Sequence, residues 1–227
     1  VVICNLCGWM GERFLPRFRA RGRECLCPQC ESVDFDRHLH HVLDSTAGAG
    51  EASARLAIRP TRPLLARLRR DGPIVAIGDP PAADGLLPMT PDRLEFPEGY
   101  FRAVVCSHVF ERLDDDGAAM REILRALAPG GRLLAQVAYR VGAPTETYDA
   151  PDRHGHLRRY GARDFSERLA AAGFEAVERV SDADLFPYHA FDGYDVFIAT
   201  KAGDPGESRA FDYALLRRLQ PEAETAT

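Results

Sequence analysis

No apolar run in the 227-residue chain comes near the roughly 20 residues that span a bilayer, so the sequence offers no membrane segment. Positive charge is not in excess either. Lys and Arg number 29 against 34 Asp and Glu, a net charge of −5, which argues against a general nucleic-acid binder because phosphate binding depends on clustered cations. Cysteines are sparse, six in all, and their spacing is metal-like rather than that of a disulfide framework, which points to a reduced, intracellular setting. The first cysteine pair begins at residue 4, leaving no room for a signal peptide ahead of it, so the cytoplasm is the expected location.

What is present begins with those cysteines. Cys4-Asn-Leu-Cys7 and Cys27-Pro-Gln-Cys30 are two CxxC knuckles separated by 19 residues, a spacing that suits one Zn²⁺ held by four thiolates. Such a set leaves no coordination position open for water or substrate, so a structural zinc is expected over a catalytic one. Gly8 follows the first knuckle, where a tight turn often needs glycine. Cys25 offers a fifth thiol beside the site, either an alternative ligand to Cys27 or a spectator.

The sequence divides into a zinc ribbon with an exit helix over 1–43, a small-residue linker over 44–53, an α/β domain over 54–204 and a polar tail over 205–227. Within the α/β part, strands are expected at Arg55–Ile58, Pro73–Ile77, Phe101–Ser107, Arg132–Ala138, Phe174–Val180 and Tyr194–Thr200. Helices are expected at Arg62–Arg70, Ala118–Leu127 and Asp164–Ala172, with Pro129-Gly130-Gly131 as a helix stop and a loose C-terminal tail. This alternation predicts a largely parallel, doubly wound sheet.

Several polar residues invite a chemical reading. His108 follows a buried strand and is a candidate base, with a loop-orienting hydrogen bond as its structural alternative. His154, His156, Arg158 and Tyr160 form a dense polar group at the expected mouth of the sheet, where loops carry function. His38, His40 and His41 read as solvated or packing residues, and Cys106 as a small buried hydrophobe. The arginine-rich loop from Arg17 to Arg23 reads as a solvated face, with contact to RNA as the competing reading.

The stretch Leu94-Glu-Phe-Pro-Glu-Gly-Tyr-Phe-Arg-Ala-Val-Val-Cys-Ser-His-Val-Phe-Glu111, followed by Arg121-Glu-Ile-Leu-Arg-Ala-Leu-Ala-Pro-Gly-Gly-Arg-Leu-Leu134, resembles the central part of class I S-adenosylmethionine-dependent methyltransferases of the type 11-like group. The N-terminal knuckles with Asp36-Arg-His38, and His156-Leu-Arg-Arg-Tyr-Gly161, are similar to features of a subgroup that carries a zinc ribbon. The resemblance covers most of the chain. It implies a Rossmann-like doubly wound, mostly parallel sheet, S-adenosylmethionine and Zn²⁺ as cofactors, and a small-molecule nucleophile as substrate. Nucleic acid and membrane are not implied as partners, and oligomeric state is left open. Carried onto this sequence, it implies cofactor contacts from Arg59, Asp79, Thr90, Asp92 and Ser107, with Asp79 accepting hydrogen bonds from the ribose, and chemistry at His108, His156 and Tyr160.

The sequence also departs from the pattern. Ala57-Ile58-Arg59-Pro60-Thr61 stands where the family has an acidic or glycine-rich turn, Thr90 where it has an adenine-side aspartate, and Arg102 and Arg112 replace the common aspartate and histidine. These departures motivate an alternative expectation, a methyltransferase-like protein that has lost the cofactor and serves as a zinc-stabilised binding module or catalyses another reaction.

Overall fold

A computed structural model describes residues 1–17, 23–46, 54–79, 85–181, 195–204 and 212–219. The expected linker beyond residue 46, most of the arginine-rich loop including Arg19 and Arg21, and the chain end lie outside the described residues.

Two small antiparallel hairpins form the N-terminal module. β1 (Val2–Ile3) pairs with β2 (Met10–Gly11), and β3 (Leu15–Arg17) with β4 (Arg23–Leu26). The first knuckle lies between β1 and β2, and the second follows β4. Helix α1 (Asp34–Thr46) leads out. Asp36 starts it by reaching back to the Val33 N–H at 3.1 Å, and two aspartates suit the positive end of its dipole. The helix runs past its expected end at residue 43. Ser45 and Thr46 donate their hydroxyls to the Val42 carbonyl at 3.0 and 2.7 Å, and Arg132 caps the Thr46 carbonyl, so the last turn keeps its partners.

The main domain alternates as expected: β5 (Arg55–Ile58), α2 (Arg62–Asp71), β6 (Ile74–Gly78), β7 (Leu87–Pro88) and β8 (Phe101–Ser107). A 3₁₀ turn (Phe110–Arg112), α3 (Asp116–Ala126) and β9 (Leu127–Gln136) follow. Then come β10 (Tyr139–Arg140), β11 (Glu146–Thr147), β12 (Arg158–Gly161), α4 (Ala162–Ala171), β13 (Ala176–Val180) and β14 (Val196–Thr200). Seven strands form one sheet in the order β13-β14-β9-β8-β5-β6-β7, parallel except for β14, which is antiparallel to both neighbours. This is the doubly wound, mostly parallel sheet that the sequence predicts. The order reverses between β5 and β8, which opens a crevice at their carboxyl ends.

Side chains alternate across the sheet and build two cores. Leu56, Ile58, Val104, Cys106, Leu133 and Ala135 face Met120, Ile123, Phe165 and Leu169 of α3 and α4. Ala57, Val105, Leu134 and Ile198 face Leu39, Val42, Leu43, Leu64 and Leu68 of α1 and α2, in a core that also includes Cys4, Leu6, Phe14 and Cys27. The zinc module therefore shares one face of the sheet. Each buried leucine there contributes about 1.5–3 kcal/mol.

Two expectations need correction. Pro129-Gly130-Gly131 does not stop α3, which ends at Ala126; it lies inside β9 at an irregular register against β8. Gly130 has φ +66°, and a Cβ on Gly131 would sit 2.8 Å from the Ala128 carbonyl oxygen, so the bulge admits only glycine at 131. The tail is not wholly loose, because α5 (Tyr213–Leu219) lays Leu215 and Leu219 on the α3/α4 core. Asp212 donates its N–H to the Tyr100 hydroxyl at 3.1 Å, anchoring the start of that helix.

Candidate functional site

The four-thiol group comes first in the chain and is spatially complete. Cys4 Sγ lies 3.7 Å from Cys30 Sγ, and Cys7 Sγ lies 3.7 Å from Cys27 Sγ. A tetrahedron with Zn–S bonds of about 2.3 Å has edges of about 3.8 Å, so the thiols are at zinc-binding separation. The residue after each knuckle turns through positive φ, Gly8 at +80° and Glu31 at +60°; the sequence signals the first and hides the second. Ser32 Oγ lies 3.3 Å from Cys4 Sγ and 3.2 Å from Cys30 Sγ. Arg37, fully buried, stacks 3.8 Å over Phe14 and donates to the carbonyls of Ser32 and Cys25 at 2.9 Å each. A tetrathiolate zinc carries net negative charge, and a guanidinium buried behind it offsets that charge. Cys25 lies outside the four-thiol group, on β4.

The crevice at the sheet's carboxyl edge gathers most of the remaining residues singled out in the sequence. Strand register places Ile58, Ile77 and Cys106 side by side, so Arg59, Asp79, Ser107 and His108 emerge at neighbouring strand ends. Arg59 has φ +50°, the left-handed conformation that glycine usually supplies. Its guanidinium Nη1 is 3.2 Å from Asp79 Oδ2. Only Pro60 and Thr61 separate it from α2, and Thr61 caps that helix by accepting the Leu64 N–H at 3.3 Å. The Thr61 hydroxyl in turn donates to Asp36 Oδ1 at 2.8 Å, so the zinc module's exit helix fixes this loop. Burial pushes the Asp36 carboxyl up to about 6 against the opposing pull of Thr61 and the Val33 N–H. Thr90 forms a tight turn with Arg93 after β7, leaving Asp92 exposed. Ser107 Oγ donates to Gln136 Oε1 at 3.1 Å.

His108 is the second residue in this crevice at positive φ, +56°, a strain of the kind that clusters at functional sites. Its Nδ1 lies 2.7 Å from Glu111 Oε1, and that oxygen also accepts the Ala138 N–H at 2.9 Å. Burial alone would raise the Glu111 carboxyl; His108 and the Ala138 N–H outweigh it and hold the group below its ordinary range, so it is anionic. His156 stacks on His108 with ring centres 6.4 Å apart, and its Nδ1 is 3.3 Å from Asp152 Oδ2. Burial lowers the His156 imidazole, leaving it neutral near pH 7. Phe35 of α1 meets the His108 ring edge-on at 5.2 Å, so the zinc module also walls this part of the crevice.

Tyr160 lies elsewhere. It is fully buried on β12 and donates its hydroxyl to Asp116 Oδ2 at 2.6 Å, while Arg158 and Arg168 pair with the same carboxylate at 3.4 and 3.0 Å. Burial, then Asp116, pushes its hydroxyl far up. The His156-to-Gly161 motif thus splits, with His156 beside His108 and Arg158 and Tyr160 anchoring β12 to α3. Glu111 and Asp152 join the site although the sequence reading assigns neither of them a role there. The His108-x-x-Glu111 spacing is the signal that marks the first. His38 and His40, both buried, are packing residues; His40 Nε2 meets Asp71 at 2.8 Å.

A seven-stranded sheet with an antiparallel β14 and a switch point between β5 and β8 defines a Rossmann-like, doubly wound α/β class. Residues 10–179, most of the chain, match the methyltransferase domain family, and the chain belongs to that family. Membership implies S-adenosylmethionine as the methyl donor. Among solved structures, the chain is similar to 1,6-didemethyltoxoflavin-N1-methyltransferase from Burkholderia thailandensis, 20% identical with a TM-score of 0.57, covering 74% of this chain and 79% of that one. It is also similar to the [4+2]-cyclase SpnF, 22% identical with a TM-score of 0.54, covering 74% and 81%. The YcgJ protein from Bacillus subtilis is 15% identical with a TM-score of 0.51, covering 74% and 99%. At these identities the likeness is one of fold. No curated protein matches the chain.

Proposed function

We propose that the protein transfers a methyl group from S-adenosylmethionine to a nucleophilic nitrogen or oxygen of a small molecule, with zinc as a structural element of the crevice wall. The observation that carries this reading is the His108–Glu111 pair, 2.7 Å apart, at the carboxyl end of β8 beside the switch-point crevice.

The donor set suits the cofactor. Asp79 stands at the end of the second strand of the βαβ unit, where a carboxylate accepts ribose hydroxyls. Its partner Arg59 is an obstacle of limited strength. Both side chains are over a third exposed, and pairs of that kind contribute about 0–1 kcal/mol. Hydrogen bonds from a ribose diol to a carboxylate are worth about 1.5–3 kcal/mol each and exceed it. The bound cofactor supplies an electrophilic methyl group on a sulfonium, which leaves as a neutral thioether. The chain's own residues then orient the acceptor and take its proton. His108, held by anionic Glu111, accepts that proton from the attacking atom, and the carboxylate stabilises the imidazolium. Phe35 shields one side of the ring from water. A small acceptor is in keeping with the Burkholderia neighbour, whose structure holds 1,6-didemethyltoxoflavin.

Titration of the zinc-loaded protein with S-adenosylmethionine tests the reading. Binding at or below millimolar cofactor is expected, and none at that level would sink it. The Arg59–Asp79 pair favours a second reading, a crevice closed to the cofactor and used otherwise. SpnF, a cyclase on the same fold, illustrates that the fold does not fix the reaction. Binding that appears only in Arg59→Gly would select this second reading.

A further inference from the structure

We propose that His108, Glu111 and His156 form a second metal site, one that takes a first-row divalent cation at the acceptor end of the crevice. The ligand atoms of these three residues all lie within 4.8 Å of one another. Two imidazoles and one carboxylate suit Zn²⁺, Mn²⁺, Fe²⁺ or Co²⁺ and, unlike the four thiols of the ribbon, leave coordination positions open.

Three observations support the assignment beyond proximity. Glu111 is fully buried; its Oε1 takes bonds from His108 and the Ala138 N–H, yet its Oε2 has no hydrogen-bond partner among the described residues. A buried anionic oxygen without a donor is costly, and a cation removes that cost. His156 is already oriented from behind, because Asp152 Oδ2 lies 3.3 Å from its Nδ1, the carboxylate-to-histidine support that metal-binding imidazoles use, and Asp152 Oδ1 accepts its backbone N–H at 2.9 Å. The loop carrying His156 is fastened to the turn carrying Glu111, since Leu157 donates its N–H to the Glu111 carbonyl at 2.7 Å. The close His108–Glu111 contact would widen to about 3.2 Å around a cation with bonds of about 2.1 Å, a small rotation of two side chains.

The inference rests on the reading of this crevice as an acceptor site and adds a substrate class to it. A cation with open positions selects acceptors that present an oxygen donor, such as a hydroxyl or an enol. With the cation in place His108 serves as a ligand instead of the base, so the bound oxygen releases its proton to water and attacks the methyl carbon. The new O–CH₃ bond forms as the C–S bond breaks, and the electron pair stays on sulfur.

The test uses Mn²⁺ alone, added to zinc-loaded protein without cofactor and followed by electron paramagnetic resonance of the free ion. One Mn²⁺ per chain is expected beyond the ribbon zinc, with at least tenfold weaker binding in His156→Ala and in the isosteric Glu111→Gln. Both variants must retain one zinc per chain and the wild-type melting transition for the comparison to count, and the wild-type stoichiometry is decisive without them. No second ion at millimolar Mn²⁺, or a second ion bound equally by both variants, would overturn the proposal. S-adenosylmethionine affinity measured in the same samples separates the two readings. Cofactor binding without Mn²⁺ binding sinks only the metal site, and the converse sinks only methyl transfer.

Discussion

At the residue scale, two groups that the sequence marks as candidates have opposite surroundings. His108 stands at a strand end with a strained backbone and an anionic carboxylate behind it, whereas Tyr160 is sealed in the core against Asp116. Both were legible as candidates because their motifs were visible, but a motif does not say which way a side chain points. On β12 alternate residues face one side, so Arg158 and Tyr160 share the buried Asp116. Tyr160→Phe is therefore expected to act through stability. Losing the hydroxyl removes a donor from a buried carboxylate, at about 1–3 kcal/mol in denaturant unfolding, while kcat of the folded enzyme stays within a few-fold. A hundredfold fall in kcat with unchanged stability would return Tyr160 to the chemistry.

Among the elements, α1 is the one that ties the zinc module to the crevice. Asp36 supports both the start of its own helix and Thr61 of the loop after β5, and Phe35 packs on His108. The sequence announces the helix through its aspartates and its apolar period but not these long-range partners, which depend on how the helix lies across the sheet. Asp36 also carries a pH signature. Its folded value of about 6 lies above the unfolded value of about 3.9, so the folded state binds more protons between the two. Stability from this group is greatest below about pH 4 and declines as pH rises through 6. Asp36→Asn lacks that slope, so the melting temperature of the variant minus that of the wild type should climb from pH 4 to 7 and then level off. Parallel pH profiles for the two proteins would refute the assignment.

Across the whole molecule, the features legible in the sequence are those that local patterns determine. The alternation of strands and helices, the parallel sheet and the four cysteines all follow from spacing and periodicity. Features that depend on tertiary partners are not written in local pattern: the glycine bulge inside β9 is set by Phe101 on the neighbouring strand together with Ala128 of β9 itself, and α5 forms because Leu215 and Leu219 find an apolar surface. The shared core of ribbon and sheet predicts that zinc removal will be felt at a distance. Chelation should loosen the hairpins and α1 together, lower the melting temperature, and weaken S-adenosylmethionine binding at least tenfold, with recovery on adding zinc back. Unchanged cofactor affinity in the zinc-free protein would show that the ribbon is a separate appendage.

Whether the switch-point crevice works as a cofactor site despite Arg59 is decided by a crystal structure with S-adenosylhomocysteine at millimolar concentration. Ribose hydroxyls on Asp79 in place of the Arg59 guanidinium, and the sulfur facing the His108 side of the crevice, are the expected result. An intact Arg59–Asp79 pair with the nucleoside absent, or bound away from the β5 and β8 strand ends, would contradict it.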